Sequence, residues 1–399
     1  LTCSERQYSL LLRYWRSEYC FISDGRSDNM VDGNGSRSAD RFDTVVVGGG
    51  QAGLIVGREL QKQGADFVIL DASERVGDAW RHRWDSLRLF TQAFMNGLPD
   101  MEFPGDKNDF VGKNEVADFL ERYAEQMSLP VRSGVRVERV SRDADQFVVE
   151  TTTGTLRSAN VVVAMADYQK PKVPSFAAEL DPSIRQLHSS EYRNPSQLAD
   201  GPALVVGLGN SGADIALDVA ATHPTTVAGV AKAGAVPFVL EGWFGRHIGT
   251  RLVRFAMVKV LNTSTPMGRR ARPKVLSSGP PLVRVRPKEL KRAGVRLVGR
   301  IEGVEGGKPV TDGGEVIDVP NVIWCTGYRH GFDWIDLPVF DEDGSPMHTR
   351  GIVDSQPGLY FLGLFFLHAV WSETITGVQP DARHIVSHLM DRARAKTTA

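Results

Sequence analysis

The sequence predicts an α/β fold containing two three-layer dinucleotide-binding units. A G-x-G-x-x-G run occurs twice, at Gly48–Gly53 and Gly207–Gly212, about 160 residues apart. Each copy follows a β-branched run, opens a helix-like segment and is followed by a second short apolar run. At 399 residues the chain has room for two such units.

Taken in order, Asp43–Val47 reads as a strand, Ala52–Gln63 as a helix and Asp66–Asp71 as a second strand. Residues 23–41, rich in Ser, Asp, Gly, Asn and Arg, read as the flexible linker before them. Glu115–Met127 has helical spacing of Val116, Phe119, Leu120 and Tyr123. Val135–Val140 and Phe147–Thr152 alternate as strands, and Val161–Ala164 is a buried-strand pattern. The second unit repeats the first: strand Ala203–Val206, helix Gly212–Thr222, strand Thr226–Ala231. Asn321–Trp324 and Leu359–Leu362 are again buried strands, and Pro380 suits the first turn of a last helix.

Composition removes several function classes. The formal net charge is -1, so no whole-molecule field draws nucleic acid. The local basic runs Arg269–Arg272 and Arg284–Lys291 read as solvated faces. Three cysteines, none in a Cys-x-x-Cys pair, leave neither a redox dithiol nor a zinc ribbon and point to a cytoplasmic setting. No His/Cys/carboxylate cluster has metal-ligand spacing. No apolar run reaches bilayer length, since Arg13, Arg16 and Glu18 interrupt Tyr8–Ile22.

The fingerprints carry the chemistry. Gly48 permits the tight turn, Gly50 lets the backbone approach a pyrophosphate, and Gly53 brings helix and strand together. Gln51 and Ala52 lie in the helix N-terminus, whose N–H groups and partial positive charge suit phosphate. Asp71, ending the next strand, can accept hydrogen bonds from a ribose diol. Gly207, Gly209 and Gly212 repeat the pattern, but no carboxylate follows. Lys232 stands just beyond that strand instead, which favours the 2′-phosphate of NADPH over NADH. Two nucleotide folds in one chain suit hydride transfer from NADPH to a flavin.

Further motifs follow in order: Gly77-Asp78-Ala79-Trp80; Asp85–Thr91 with Gly97-Leu98-Pro99; Asn210-Ser211 inside the second fingerprint; Cys325-Thr326-Gly327-Tyr328; and Gly358–Gly363. Over residues 42–390 this set resembles the flavin-containing monooxygenases and their relatives, including Baeyer–Villiger and plant auxin-forming enzymes. The resemblance implies FAD at the first fingerprint and NADPH at the second. It adds Trp80, Thr91, Val137, Ala164, Thr326 and Gly327 as cofactor contacts beside Asn210 and Ser211. Some members place an asparagine after a threonine near the flavin. Here Gln92 follows Thr91 and is the candidate catalytic amide.

The resemblance also implies that the NADPH domain (166–319) is inserted into the FAD domain (42–165 and 320–392), with an extension at 1–41 and a tail at 393–399. The implied activity transfers one oxygen atom from O2, through a hydroperoxyflavin, to a small, largely apolar substrate. Two alternatives stay open: an NADPH-dependent flavin reductase serving a quinone or protein acceptor, and a flavin-binding regulatory protein without turnover. Two segments depart from the family pattern. Pro182 and Ile184 stand where Phe and Gly are usual before His188 and Tyr192, and the first crossing reads Ala164-Met165-Ala166 instead of Ala-Thr-Gly.

Overall fold

The computed structural model describes residues 40–230 and 234–397, with side chains through 395. Strand β1 (Asp40–Val47) runs into the first fingerprint, helix α1 (Gln51–Lys62) leaves it, and β2 (Phe67–Leu70) returns parallel to β1, with Val45 opposite Val68. Helix α2 (Lys113–Gln126) leads to β3 (Val131–Arg132). An antiparallel meander follows: β4 (Val137–Asp143), β5 (Gln146–Thr151) and β6 (Gly154–Val163). The second unit contains β7 (Arg185–His188), β8 (Ala203–Val206), α3 (Asn210–Val219), β9 (Thr225–Ala228), β10 (Arg296–Val298) and β11 (Asn321–Trp324). The chain re-enters the first unit through β12 (Leu359–Phe361) and α4 (Ile375–Thr397).

The first sheet has the order β3-β2-β1-β6-β5-β4, with β12 parallel beside β6. The second has the order β7-β11-β8-β9-β10, parallel throughout. Alternation along the strands builds the layers. Val46 and Ile69 point into a cluster with Leu54 and Ile55 of α1 and Ile385 of α4. Their neighbours Val45, Val47, Val68 and Leu70 point the other way, onto Phe147, Phe332 and Phe361. The second sheet divides likewise, with Val205 and Ile323 on one face and Leu204 and Trp324 on the other.

Four expectations change. Asn321–Trp324 is a central strand of the second sheet, paired with both β7 and β8, so the return crossing falls after Cys325 and not at 320. A buried apolar strand carries no mark of which sheet it joins. Helix α4 begins at Ile375, with Pro380 inside it. The Thr374 hydroxyl accepts the Gly377 N–H and caps the helix before the proline is reached. The same helix runs on to Thr397 through the expected tail. Asp40 and Arg41, expected in the linker, belong to β1; the rest of the expected extension lies outside the described residues, as does Lys232.

The two crossings lie side by side, Lys170–Pro171 pairing antiparallel with Tyr328–Arg329. Each begins with a backbone turn in the left-handed region: Gly327 at φ 83° and, in the first crossing, Ala166 at φ 60°. The alanine occupies the place of the usual glycine and keeps the glycine conformation. Ile184, the other replacement of a glycine, has an ordinary φ and is buried in the second unit's core. A left-handed alanine costs about 1–2 kcal/mol, and glycine gives back about 0.5–1 kcal/mol through its freer unfolded chain. Ala166→Gly is therefore expected to raise stability by about 0.5–1 kcal/mol, read as a higher urea midpoint at unchanged slope. An unchanged or lower midpoint would show that Ala166 carries no strain.

Candidate functional site

Both fingerprints close on the same backbone contact. At Gly48 (φ 108°) a Cβ would lie 2.8 Å from the Ala164 carbonyl oxygen; at Gly207 (φ 111°) it would lie 2.3 Å from that of Cys325. Ala164 N–H donates to Val47 O and Cys325 N–H to Val206 O, each at 2.8 Å. The third glycine is pressed onto the first: a Cβ on Gly53 or Gly212 would fall 1.8 or 1.9 Å from the Gly48 or Gly207 oxygen. The middle glycines differ. At Gly50 and Gly209, the N-caps of α1 and α3, a Cβ would meet nothing within 4 Å.

No side chain caps either helix, and neither first turn carries an acid. The leading N–H groups, those of Gln51 and Ala52 in α1 and of Asn210 and Ser211 in α3, are thus left without a capping side chain. An anion is the natural acceptor there.

Asp71 sits at the carboxyl end of β2. Its Oδ2 accepts the Gly49 N–H and its Oδ1 accepts the Ser73 N–H at 2.7 Å, which fixes the carboxylate and leaves further lone pairs on both oxygens. Gly134 and Val135 donate to the Ser73 and Asp71 carbonyls at 2.8 Å and bring the start of β4, with Val137, to this edge. The Trp80 indole N–H donates to Gln51 Oε1 at 3.3 Å, placing the ring beside the N-terminus of α1. Gly363, after β12, closes the same edge, where a Cβ would lie 3.3 Å from Ala52 Cβ. The expected FAD contacts thus gather along the carboxyl edge of the first sheet, the usual ligand edge of open α/β sheets.

Three expected residues have other duties. Gln92 is completely buried, and its amide is committed: Nε2 donates to Asn108 O at 2.6 Å and to Arg246 O at 3.0 Å, while Oε1 accepts the Thr250 hydroxyl at 2.5 Å. Both N–H groups are thus engaged within the chain. Thr91 donates to Asn96 Oδ1 at 2.7 Å and receives Asn96 Nδ2 on its carbonyl, so this pair locks the loop. Asn210 donates to Pro281 O and accepts the Val283 N–H, holding that loop over α3 with both ends of its amide. One residue on from Val283, Arg284 pairs with Asp214 at 3.0 Å, and its buried Nε has no protein partner. Burial pushes the Asp214 carboxyl up to about 6 despite the guanidinium.

His188 belongs to the crossing. Its Nε2 lies 3.1 Å from Gly327 O and must donate; its Nδ1 accepts the Ser190 N–H, and burial holds the imidazole pKa low, so the ring is neutral. The Thr326 hydroxyl donates to Lys172 O across the paired crossings. Trp371 is buried against Phe90, with ring centroids 5.9 Å apart, whereas Trp243 is 70% exposed.

The sequence reading missed Glu373 and Tyr168. Glu373 stands between β12 and α4 at the ligand edge, and the Tyr168 hydroxyl from the first crossing donates to it. Burial, reinforced by Asp167, pushes its carboxyl up to about 7. An acid just before a helix that follows a buried parallel strand was the available signal. With the folded value raised above the unfolded one, the unfolded chain loses the proton first as pH rises, so stability falls between about pH 4.5 and 7. That part of the pH–stability slope is expected to disappear in Glu373→Gln, measured by urea unfolding at several pH values. An identical slope in wild type and variant would remove the assignment.

A family model described as pyridine nucleotide-disulphide oxidoreductase matches residues 45–233. An uncharacterized CzcO-like oxidoreductase of Geobacillus kaustophilus is 34% identical over 361 residues, covering 88% of this chain and 98% of that one. The rice indole-3-pyruvate monooxygenase YUCCA1 is 27% identical over 355 residues, covering 80% of this chain and 86% of its own. Among solved structures, a flavin-containing monooxygenase from Stenotrophomonas maltophilia superposes with a TM-score of 0.70 at 26% identity, covering 89% of this chain and 99% of that chain.

Proposed function

The chain belongs to the flavin-containing monooxygenase-like oxidoreductases, and from that membership we propose that it uses FAD and NADPH to place one oxygen atom of O2 on a small, largely apolar organic substrate. The observation that carries the reading is the duplicated cradle: two uncapped helix N-termini, each opening onto free space at its middle glycine. Gly48, Gly50, Gln51, Ala52 and Gly53 would hold the FAD pyrophosphate, and Asp71 its ribose. Trp80, Val137 and Ala164 line the same edge. Gly207, Gly209, Ser211 and Gly212 would hold NADPH, with Lys232 reading the 2′-phosphate. We place the FAD domain at 40–165 together with the chain after the second crossing, and the NADPH domain between the two crossings.

When bound, the reduced flavin supplies the electrons and the position at which dioxygen is activated. The chain's own residues orient and enclose. Asp71 fixes the ribose through lone pairs that its backbone donors leave free. Thr91 and Gln92 hold their loop rigid. Glu373, its carboxyl pushed up to about 7, can hold a proton beside Tyr168 at the carboxyl edge of the first sheet. Phe90, Met95, Phe366 and Trp371, covered by Val253 and Met257, form an apolar wall that excludes water and favours an apolar substrate. Disulphide reduction lacks a dithiol: the three cysteines include no Cys-x-x-Cys pair, and burial pushes the Cys325 thiol up to about 12.

The direct test incubates the holoenzyme with NADPH, isotopically heavy dioxygen and a panel of thioethers, amines and ketones. Stoichiometric NADPH consumption and one labelled oxygen per product molecule are expected. Full recovery of the electrons as peroxide or reduced quinone, with no labelled product across the panel, would favour the reductase. Gly50→Val, which fills the open approach to α1, is expected to purify folded but colourless. A fully yellow variant would remove the first fingerprint from the FAD site.

A further inference from the structure

Between β9 and β10 the second unit carries a long helical excursion. Its first part is a continuous helix in which π-helical turns, Gly245–Gly249 and Ala256–Val260, flank the α-helical Thr250–Phe255; a second helix, Pro266–Ser278, follows. The inner face is packed tightly: a Cβ on Gly249 would lie 2.4 Å from the Phe238 ring, Thr250 bonds to Gln92, and Val253 and Met257 rest on the aromatic wall.

The outer face is apolar as well. Phe244, Ile248, Leu252 and Phe255 recur at helical spacing along it, Trp243 stands beside them, and these five side chains are 40–70% exposed. Met267 and Leu276, on opposite faces of the second helix, are also exposed, at 59% and 44%. Phe244 meets the Phe238 ring edge-on with part of its surface, but most of this stripe stays in water, and an apolar patch left in water marks a binding surface.

Charge identifies the occupant. From Gly242 to Lys288 the chain contains no Asp or Glu and eleven Lys or Arg, in a protein whose formal net charge is only -1. Exposed Arg251 and Arg254 flank the apolar stripe, and exposed Arg269, Arg270 and Lys274 ride on the next helix. Arg246, Arg284 and Arg286 pair with Asp109, Asp214 and Glu289. The exposed cations that remain beside the aromatic and branched apolar side chains match a bilayer interface, with the stripe in the acyl boundary and the cations at anionic headgroups. Among the described residues no helix is long and apolar enough to cross a membrane, so the contact is with one leaflet. We infer that this face docks the protein on an anionic lipid surface. Docking requires neither turnover nor substrate, so it is tested apart from the reaction proposed above.

The test is co-sedimentation of the FAD-loaded protein with vesicles of phosphatidylcholine alone and of equimolar phosphatidylcholine and phosphatidylglycerol. Sedimentation with the anionic vesicles, release by high salt and little binding to the neutral ones are expected. Phe244→Ser, Leu252→Ser and Phe255→Ser together are expected to weaken partitioning at least about tenfold while flavin content is unchanged, because these side chains are 45–60% exposed. Arg270→Glu with Lys274→Glu is expected to weaken it without touching the stripe. Wild-type protein left in the supernatant of anionic vesicles, or equal sedimentation of the triple-serine variant, overturns the proposal. Self-association in sedimentation velocity that the triple variant abolishes, without vesicle binding, would overturn it in favour of a second copy.

Discussion

The structure depends on one backbone contact made twice. Gly48 faces the Ala164 carbonyl and Gly207 faces that of Cys325, so close that no side chain fits between them. The contact sets the turn from strand to helix and therefore the direction in which each helix N-terminus points. Ala164 and Cys325 are also the residues at which the chain leaves the sheets for the crossings. The cofactor cradle and the domain hinge thus share an atom-to-atom contact in both units. A shift in either crossing is felt at once by the fingerprint against which it starts.

The crossings are correspondingly well tied. His188 binds Gly327, Thr326 binds Lys172, and Tyr168 reaches Glu373 on the far side. These bonds link the two sheets through short segments at their ligand edges, where a transferred hydride would have to pass. Ala166, in the left-handed region, belongs to the same set, and its neighbours hold it in a conformation that alanine does not prefer. The departure from the family's Ala-Thr-Gly at this place alters the residue and leaves the backbone path intact.

Much of this was legible in the sequence because it is local. The glycine spacings, the acid after β2 and the buried strands are patterns of a few residues, and their elements fall within a few positions of the expected ends. What escaped was tertiary. Gln92 could be placed after Thr91 by sequence, but its partners at Arg246 and Thr250 lie 154 and 158 residues away. Asn210 looked like a ligand contact, and its partners lie more than 70 residues on. The basic run at Arg284 read as a solvated face, but Arg284 is largely buried against Asp214, a partner 70 residues back in the sequence.

Gln92 also bears on motion. Two of its three hydrogen bonds, to Arg246 O and from the Thr250 hydroxyl, join its loop to the helical excursion of the second unit, while the third stays within the first unit at Asn108 O. The amide thus works as a latch between the two. At about 1 kcal/mol net for each crossing bond, releasing both costs about 2 kcal/mol, which keeps the unlatched arrangement to roughly one molecule in thirty. Wide rocking of one unit against the other is therefore a rare event. Movement on shorter timescales is left to the loops carried on that frame.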